Sequence, residues 1–304
     1  MSNEPIKARR YRVQKASPKM WHNAPHVNVN LSREWAEPRE AWLTMNYVAR
    51  DASPRTIEMR RHRLMALERF YAGKSPWKLT TDDLTMWINS KPRGPATRLT
   101  MLSTVRSFYG WAAERGYMDA DITKAIPRPR SPQPRPKPVP NEVYEDLLNR
   151  IQDKEFRAAL RLSGELGLRR AEVAGFHRDH LFRDSEGWWL RFVGKGDKER
   201  YVPCPDSLAE ELIEIFENQA SPYLFPSPHP RGHLSPHYLG SLISRLLPDG
   251  YTMHKLRHRA GTEAYRKTGG DIYLASNLLG HASVGITAAY VAPNMANLRK
   301  ALDD

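Results

Sequence analysis

"IPRPRSPQPRPKPVP", residues 126–140, places seven prolines in fifteen positions. Proline fixes its own φ and has no N–H to donate, so this stretch can enter neither a helix nor an inner strand and is expected to run extended as a semi-rigid spacer. It divides a 304-residue chain of 40% apolar content, long enough for two domains with cores of their own. The spacer is itself basic. A docking peptide for a proline-recognition module is one reading, but Arg128, Arg130, Arg135 and Lys137 set between two folded segments suit a strap along a phosphate backbone better.

The charge divides at the same place. Residues 1–140 hold 26 Lys+Arg against 12 Asp+Glu, a net +14, and residues 141–304 hold 21 against 22, a net −1. An asymmetry of this kind points to a polyanionic partner, because each neutralised phosphate releases counterions. Nucleic acid is therefore the expected partner of the first part. One cysteine, Cys204, excludes an internal disulfide framework and a cysteine-based zinc cluster, and is read as a small buried apolar residue. The basic N-terminus has no apolar stretch behind it and no run of 18 apolar residues occurs, so neither secretion nor a membrane span is expected, and the protein is placed in the cytoplasm.

Before the spacer the periodicity is helical. Ser53 followed by Pro54 reads as an N-cap and first helical residue, with Ile57, Leu64, Leu67 and Tyr71 at helical spacing. Thr80 or Thr81 caps a second helix with Asp82 and Asp83 in its first turn. A third runs from Pro95 to about Gly116, with Leu99, Leu102, Val105 and Tyr109 inward and Arg98 and Arg106 free for other partners. A helix around Trp35–Val48 completes a small bundle. Residues 1–33 are read as a flexible basic arm, 34–125 as the helical domain, 126–140 as linker and 141–304 as a second domain.

After the spacer, "WWLRFV" and "RYVPCP" read as two strands joined by the turn "GKGDKE", residues 194–199. Helices are expected at about 206–219, 235–247, 254–268 and 271–279, the last capped by Asp271. The fold class is mainly α with a small antiparallel sheet.

Five polar features stand in order along this second domain: "GLRRAE" with Arg169 and Glu172, "GKGDKER" with Lys195, "HKLRH" with His254 and Arg257, "LLGH" with His281, and Tyr290. Each alone has a plainer reading: a helix cap, a hairpin turn, a core histidine, an interface aromatic. "GKGDKER" lacks the G-x-x-x-x-G-K-[ST] of a nucleotide-binding loop, and His254 and His258 stand at a zinc-binding spacing without the adjacent glutamate of H-E-x-x-H. As a set they resemble the tyrosine recombinases, the family of phage integrases, Cre and the bacterial Xer recombinases. The resemblance of residues 140–304 is to that family's catalytic domain, and of residues 35–125 to its SAM-like core-binding domain, the two forming a clamp around DNA.

The chemistry suits those residues. Charge grows on the oxygens of a phosphodiester under attack, and planar guanidinium forks aimed at them are strong stabilisers. Arg169 and Arg257 would clamp the phosphate, with Glu172 orienting the clamp. His254 and His281 would hydrogen-bond it, and His254 would take the proton of Tyr290. The resemblance further implies that Tyr290 is the nucleophile, giving a 3′-phosphotyrosine and a free 5′-hydroxyl, that Lys195 protonates the leaving oxygen, and that neither metal nor other cofactor is needed. It also implies a homotetramer on double-stranded attachment-type sites, a Holliday junction, and an excision factor or host DNA-bending protein as further partners.

Residues 292–304, with Met295, Leu298 and Leu302, read as a tail that docks on a neighbouring subunit. Lys255 and Arg259, where the family often carries aspartate and threonine, are expected to add phosphate contacts. A phage or prophage integrase is the favoured reading. An Xer-like resolvase, a transposon recombinase, a type IB topoisomerase and a non-catalytic DNA-binding relative are the alternatives.

Overall fold

The computed structural model describes residues 32–50, 52–130, 137–193, 199–228, 230–248 and 250–280. Arg135, Lys195, His281, Tyr290, almost all of the expected N-terminal arm and the expected C-terminal tail lie outside the described residues. The described chain divides at the proline-rich stretch into two compact units.

The first unit is four helices, α1 (Arg33–Arg50), α2 (Pro54–Phe70), α3 (Thr81–Asn89) and α4 (Pro95–Glu114). Their starts follow from local chemistry. Ser53 caps α2 by accepting from the Thr56 N–H at 3.3 Å, with Pro54 at the first helical position. Thr80 and Asp83 cap α3 reciprocally: the Asp83 N–H donates to Thr80 Oγ1 at 3.2 Å and the Thr80 N–H to Asp83 Oδ2 at 2.8 Å.

What holds the bundle is aromatic. Phe108 of α4 lies edge-on to Trp42, with ring centroids 5.6 Å apart, and is flanked by Trp35, Trp77 and Trp111. Indole N–H groups inside a core need acceptors; Trp35 donates to the Lys74 carbonyl at 2.9 Å and Trp42 to the Ser107 carbonyl at 3.0 Å. Leu102, Val105 and Tyr109 are buried as expected, whereas Leu99 is only half-buried and lines a surface groove with Arg106 and Arg128.

The second unit runs α5 (Asn141–Arg150), α6 (Lys154–Gly164), α7 (Arg170–Ala174), β1 (Leu181–Asp184), β2 (Gly187–Val193), β3 (Glu199–Cys204), α8 (Asp206–Glu217), α9 (Pro236–Leu246), α10 (Met253–Lys267) and α11 (Ile272–Leu279). The strands form one antiparallel sheet in sequence order. The central Leu190 pairs with Leu181 on one side and Val202 on the other. The strand β1 and the helices α5 and α6 are additions to the expected elements. β1 has only four residues, and its turn is fixed by Asp184, whose Oδ1 accepts from the Glu186 N–H at 2.8 Å. Helix α10 packs against α6, α9 and α11, and this contact places the polar residues described next.

Candidate active site

The approach of α6, α7, α10 and α11 is set by two glycines. Gly167, in the turn between α6 and α7, has φ of +67°, and a Cβ there would meet Leu279 Cδ2 at 2.5 Å. Gly280 ends α11 in the left-handed conformation, φ +59°, a conformation other residues adopt at a cost. Both sites need the missing side chain.

Arg169 occupies the N-cap position of α7. Its backbone N–H donates to Glu172 Oε2 at 2.6 Å, its Nη1 to Glu172 Oε1 at 2.9 Å, and its Nη2 to the Gly280 carbonyl at 2.7 Å. Arg257, on α10 and only 4% exposed, donates Nη1 to the Gly167 carbonyl and Nη2 to the Leu279 carbonyl at 2.6 Å. Two arginines separated by 88 positions thus meet at consecutive carbonyls, where the α11 dipole ends negative. The next residue in the chain is His281.

His254 lies in the first turn of α10, three positions before Arg257 and so on the same side of the helix. Its ring meets that of His258 edge-on with centroids 4.7 Å apart. Although the residue is exposed overall, partial burial of the imidazole holds its pKa below the ordinary 6.5, and the charges of Arg257 and Arg170 lower it further. The neutral ring is therefore the prevalent form at pH 7. A neutral imidazole can act as a proton acceptor.

Of the residues singled out in the sequence, Arg169, Glu172, His254 and Arg257 belong to this cluster, while Lys195, His281 and Tyr290 lie outside the described residues. One member was missed. Arg200 on β3 donates Nη2 to Glu172 Oε2 at 3.0 Å and Nη1 to the Leu279 carbonyl at 2.7 Å. The sequence did carry a signal for it. Arg200 shares its strand parity with the buried Val202 and Cys204 and pairs with Phe192, so it is an arginine on the apolar face of a strand.

Arg259 corrects an expectation. It is buried, donates Nη1 to the Gly164 carbonyl at 2.8 Å and stacks over Tyr144 with its guanidinium carbon 3.8 Å from the ring centroid, so it ties α10 to α5 and α6 in place of meeting phosphate. Lys255 lies over the Tyr251 ring at 5.6 Å. Cys204 is buried, and burial pushes its thiol pKa up to about 12, which leaves it unreactive.

In the first unit, Arg98, Arg128 and Arg130 line a shallow groove of about 330 Å³ with Asn89 and Ile126. Arg98 donates to Asn89 Oδ1 at 3.3 Å and Arg106 to the Ile126 carbonyl at 2.6 Å, whereas Arg128, Arg130 and Lys137 are exposed. Arg106 is thereby tethered to the start of the linker. Among the described residues no helix is long and apolar enough to cross a membrane.

With this geometry in hand, comparison with known proteins is direct. Residues 138–297 match the phage integrase family, and residues 40–116 match the phage integrase N-terminal SAM-like domain. The tyrosine recombinase XerC of Escherichia coli O1:K1 is 26% identical over 289 residues, covering 87% of this chain and 94% of its own. The fold is shared with a lambda integrase (75–356) dimer bound to a COC′ core site, at TM-score 0.69 and 17% identity, covering 85% of this chain and 95% of that one. It is shared also with a lambda integrase tetramer bound to a Holliday junction, at TM-score 0.65 and 17% identity, covering 84% and 80%. The family match spans more than half of the sequence and contains every residue of the arginine cluster, and on that ground the chain belongs to the phage integrase family, the tyrosine-type site-specific recombinases.

Proposed function

We propose that this protein cuts and rejoins DNA strands through Tyr290. The observation that carries the reading is the convergence of Arg169 and Arg257 on the carbonyls of Gly280 and Leu279, the two residues that precede His281. In the reaction the Tyr290 oxygen forms a bond to the scissile phosphorus while the bond from phosphorus to the 5′-oxygen breaks. The tyrosine proton passes to His254, whose lowered pKa keeps it neutral and able to accept, and Lys195 supplies a proton to the leaving 5′-oxygen. Arg169, Arg257 and His281 bear on the non-bridging oxygens as their charge grows. The 3′-phosphotyrosine conserves the energy of the broken ester, and attack by a second strand's 5′-hydroxyl reverses the step. Neither metal nor nucleotide is required.

The first unit and the linker supply the rest of the grip on the duplex. Arg98, Arg128, Arg130, Arg135 and Lys137 face phosphates, Arg106 reaching them only with its remaining donors. A tetramer on two duplex sites, joined by the tail 292–304, exchanges strands through a Holliday junction in the cytoplasm of a bacterial host. An excision or DNA-bending protein would set direction.

The test is trapping on a nicked suicide duplex in EDTA. The wild-type protein is expected to give an SDS-resistant adduct that maps to Tyr290, and Tyr290→Phe is expected to bind the same duplex with no adduct. An adduct that persists in Tyr290→Phe refutes the assignment.

A further inference from the structure

The catalytic reading leaves one arginine of the cluster unused. Arg200 has a side chain only 14% exposed and lies with its guanidinium carbon 5.5 Å from the centroid of the Phe192 ring. A charge so placed is costly, the more so because Arg200 Nε has no hydrogen-bond partner among the described residues. Arg200 binds two acceptors, Glu172 Oε2 on α7 and the Leu279 carbonyl at the end of α11. Glu172 Oε2 also takes the Arg169 backbone N–H, and Oε1 takes Arg169 Nη1. One carboxylate is thus shared between Arg169 and Arg200.

The backbone is shaped around this side chain. A Cβ on Gly280 would lie 2.4 Å from Arg200 Cδ, so the helix end closes directly on the arginine stem. Arg200 also stands near the end of the β2–β3 pairing, where Val193 and Glu199 form the last pair before residues 194–198, which include Lys195. Three chain segments named in the proposed mechanism meet at this one guanidinium: the α7 start, the strand after Lys195 and the residue before His281.

We infer that Arg200 is a positioning residue of the strand-cleavage site, which holds the Glu172 carboxylate in place so that Arg169 is aimed at the scissile phosphate. The inference rests on the proposed mechanism, in which Arg169 neutralises phosphate charge. Without Arg200 the carboxylate keeps Arg169 as its one cationic partner among the described residues and loses the fixed point that orients it. A displacement of about 1 Å in such a clamp is enough to slow a reaction by roughly 10²-fold. Burial lowers the Arg200 pKa first and the like charge of Arg169 lowers it further, which is consistent with the two guanidinium groups lying close together on one carboxylate.

The experiment compares two duplexes, one with an ordinary scissile phosphodiester and one with a neutral methylphosphonate at that bond. Arg200→Met keeps the stem that packs on Gly280 and removes the fork. On the phosphodiester it is expected to form the Tyr290 adduct about 10–100-fold more slowly, with DNA affinity changed by less than about 3-fold. On the methylphosphonate, where less charge needs neutralising, the defect is expected to shrink to a few-fold, and the defect of Arg169→Ala is expected to shrink likewise.

A general loss of structure would slow both substrates equally, and that result overturns the inference, as does wild-type cleavage by Arg200→Met. Should Arg200→Met melt below the assay temperature, Arg200→Lys gives the same two rates with the charge kept and the fork lost. A wild-type protein that gives no Tyr290 adduct on either duplex refutes the mechanism itself, and this inference falls with it.

Discussion

Two groups of arginines, one in each unit, do different work. In residues 32–130 the interior is aromatic, with Phe108 among Trp35, Trp42, Trp77 and Trp111, and Arg98, Arg128 and Arg130 line the surface. In residues 137–280 four arginines, Arg169, Arg200, Arg257 and Arg259, donate to backbone carbonyls that close helix ends. The groove arginines of the first unit lie at its surface, whereas these four hold segments of the second unit together. Net charge therefore locates the surface that attracts a polyanion, +14 in residues 1–140, and says nothing of the −1 half, where Arg169 and Arg200 share the Glu172 carboxylate.

The contrast breaks most visibly in the aromatic unit. Phe108→Ala is expected to cost about 3–5 kcal/mol of stability, by loss of apolar burial and the cavity left among the surrounding indoles, measured by denaturant unfolding followed on tryptophan fluorescence. A loss below about 1 kcal/mol would mean that the cluster is not what holds the bundle.

Next comes the arginine-held unit. Arg257→Ala removes the donor to the Gly167 and Leu279 carbonyls together with the proposed phosphate contact, and adduct formation is expected to fall by roughly 10²–10³-fold. Single-turnover trapping measures it, and a loss under about 3-fold would place Arg257 outside the chemistry.

The surface arginines should behave otherwise. Arg128→Ala with Arg130→Ala is expected to reduce the slope of log K against log salt by about 2, close to 0.9 for each phosphate released, while the cleavage rate at saturating DNA stays unchanged. An unaltered slope from filter binding at several salt concentrations would detach these residues from the phosphate backbone.

The smallest expected effect is on pH. His254 accepts a proton only when neutral, and its pKa lies below 6.5, so the cleavage rate should be level around pH 7 and fall on the acid side. Arg170 is one of the charges that disfavour the protonated ring; Arg170→Ala raises the pKa and should move the acid limb to higher pH. A limb that stays or moves to lower pH contradicts this account of His254.

Much of this was legible in the sequence because the relevant signals are local. Ser53-Pro54, Thr80 with Asp83, and Asp271 each announce a helix start through bonds made within a few residues. Arg169, Glu172, His254 and Arg257 stand out through type and order. What was misjudged depends on contacts between distant segments. Arg259 follows His258 and looks like one more surface cation, yet its burial is decided by Tyr144, more than a hundred residues earlier. Arg200 opens the strand run "RYVPCP" directly after a charged turn, and only strand parity hints that it faces inward. Charge on a sequence marks a residue's chemistry but not its address.

Gly280 carries a consequence for how this chain can vary. Every missense change of a glycine codon adds a Cβ, and at this position that atom falls on the Arg200 stem in a backbone conformation that L-residues rarely adopt. Gly73, Gly250 and Gly269 also have positive φ, but an added methyl group there would meet nothing within 4 Å, so they face only the conformational penalty. In a library of all single substitutions, position 280 should stay near empty after selection while those three retain asparagine and aspartate, so that purifying selection traces the interior seam between β3 and α11 and not the turns outside it.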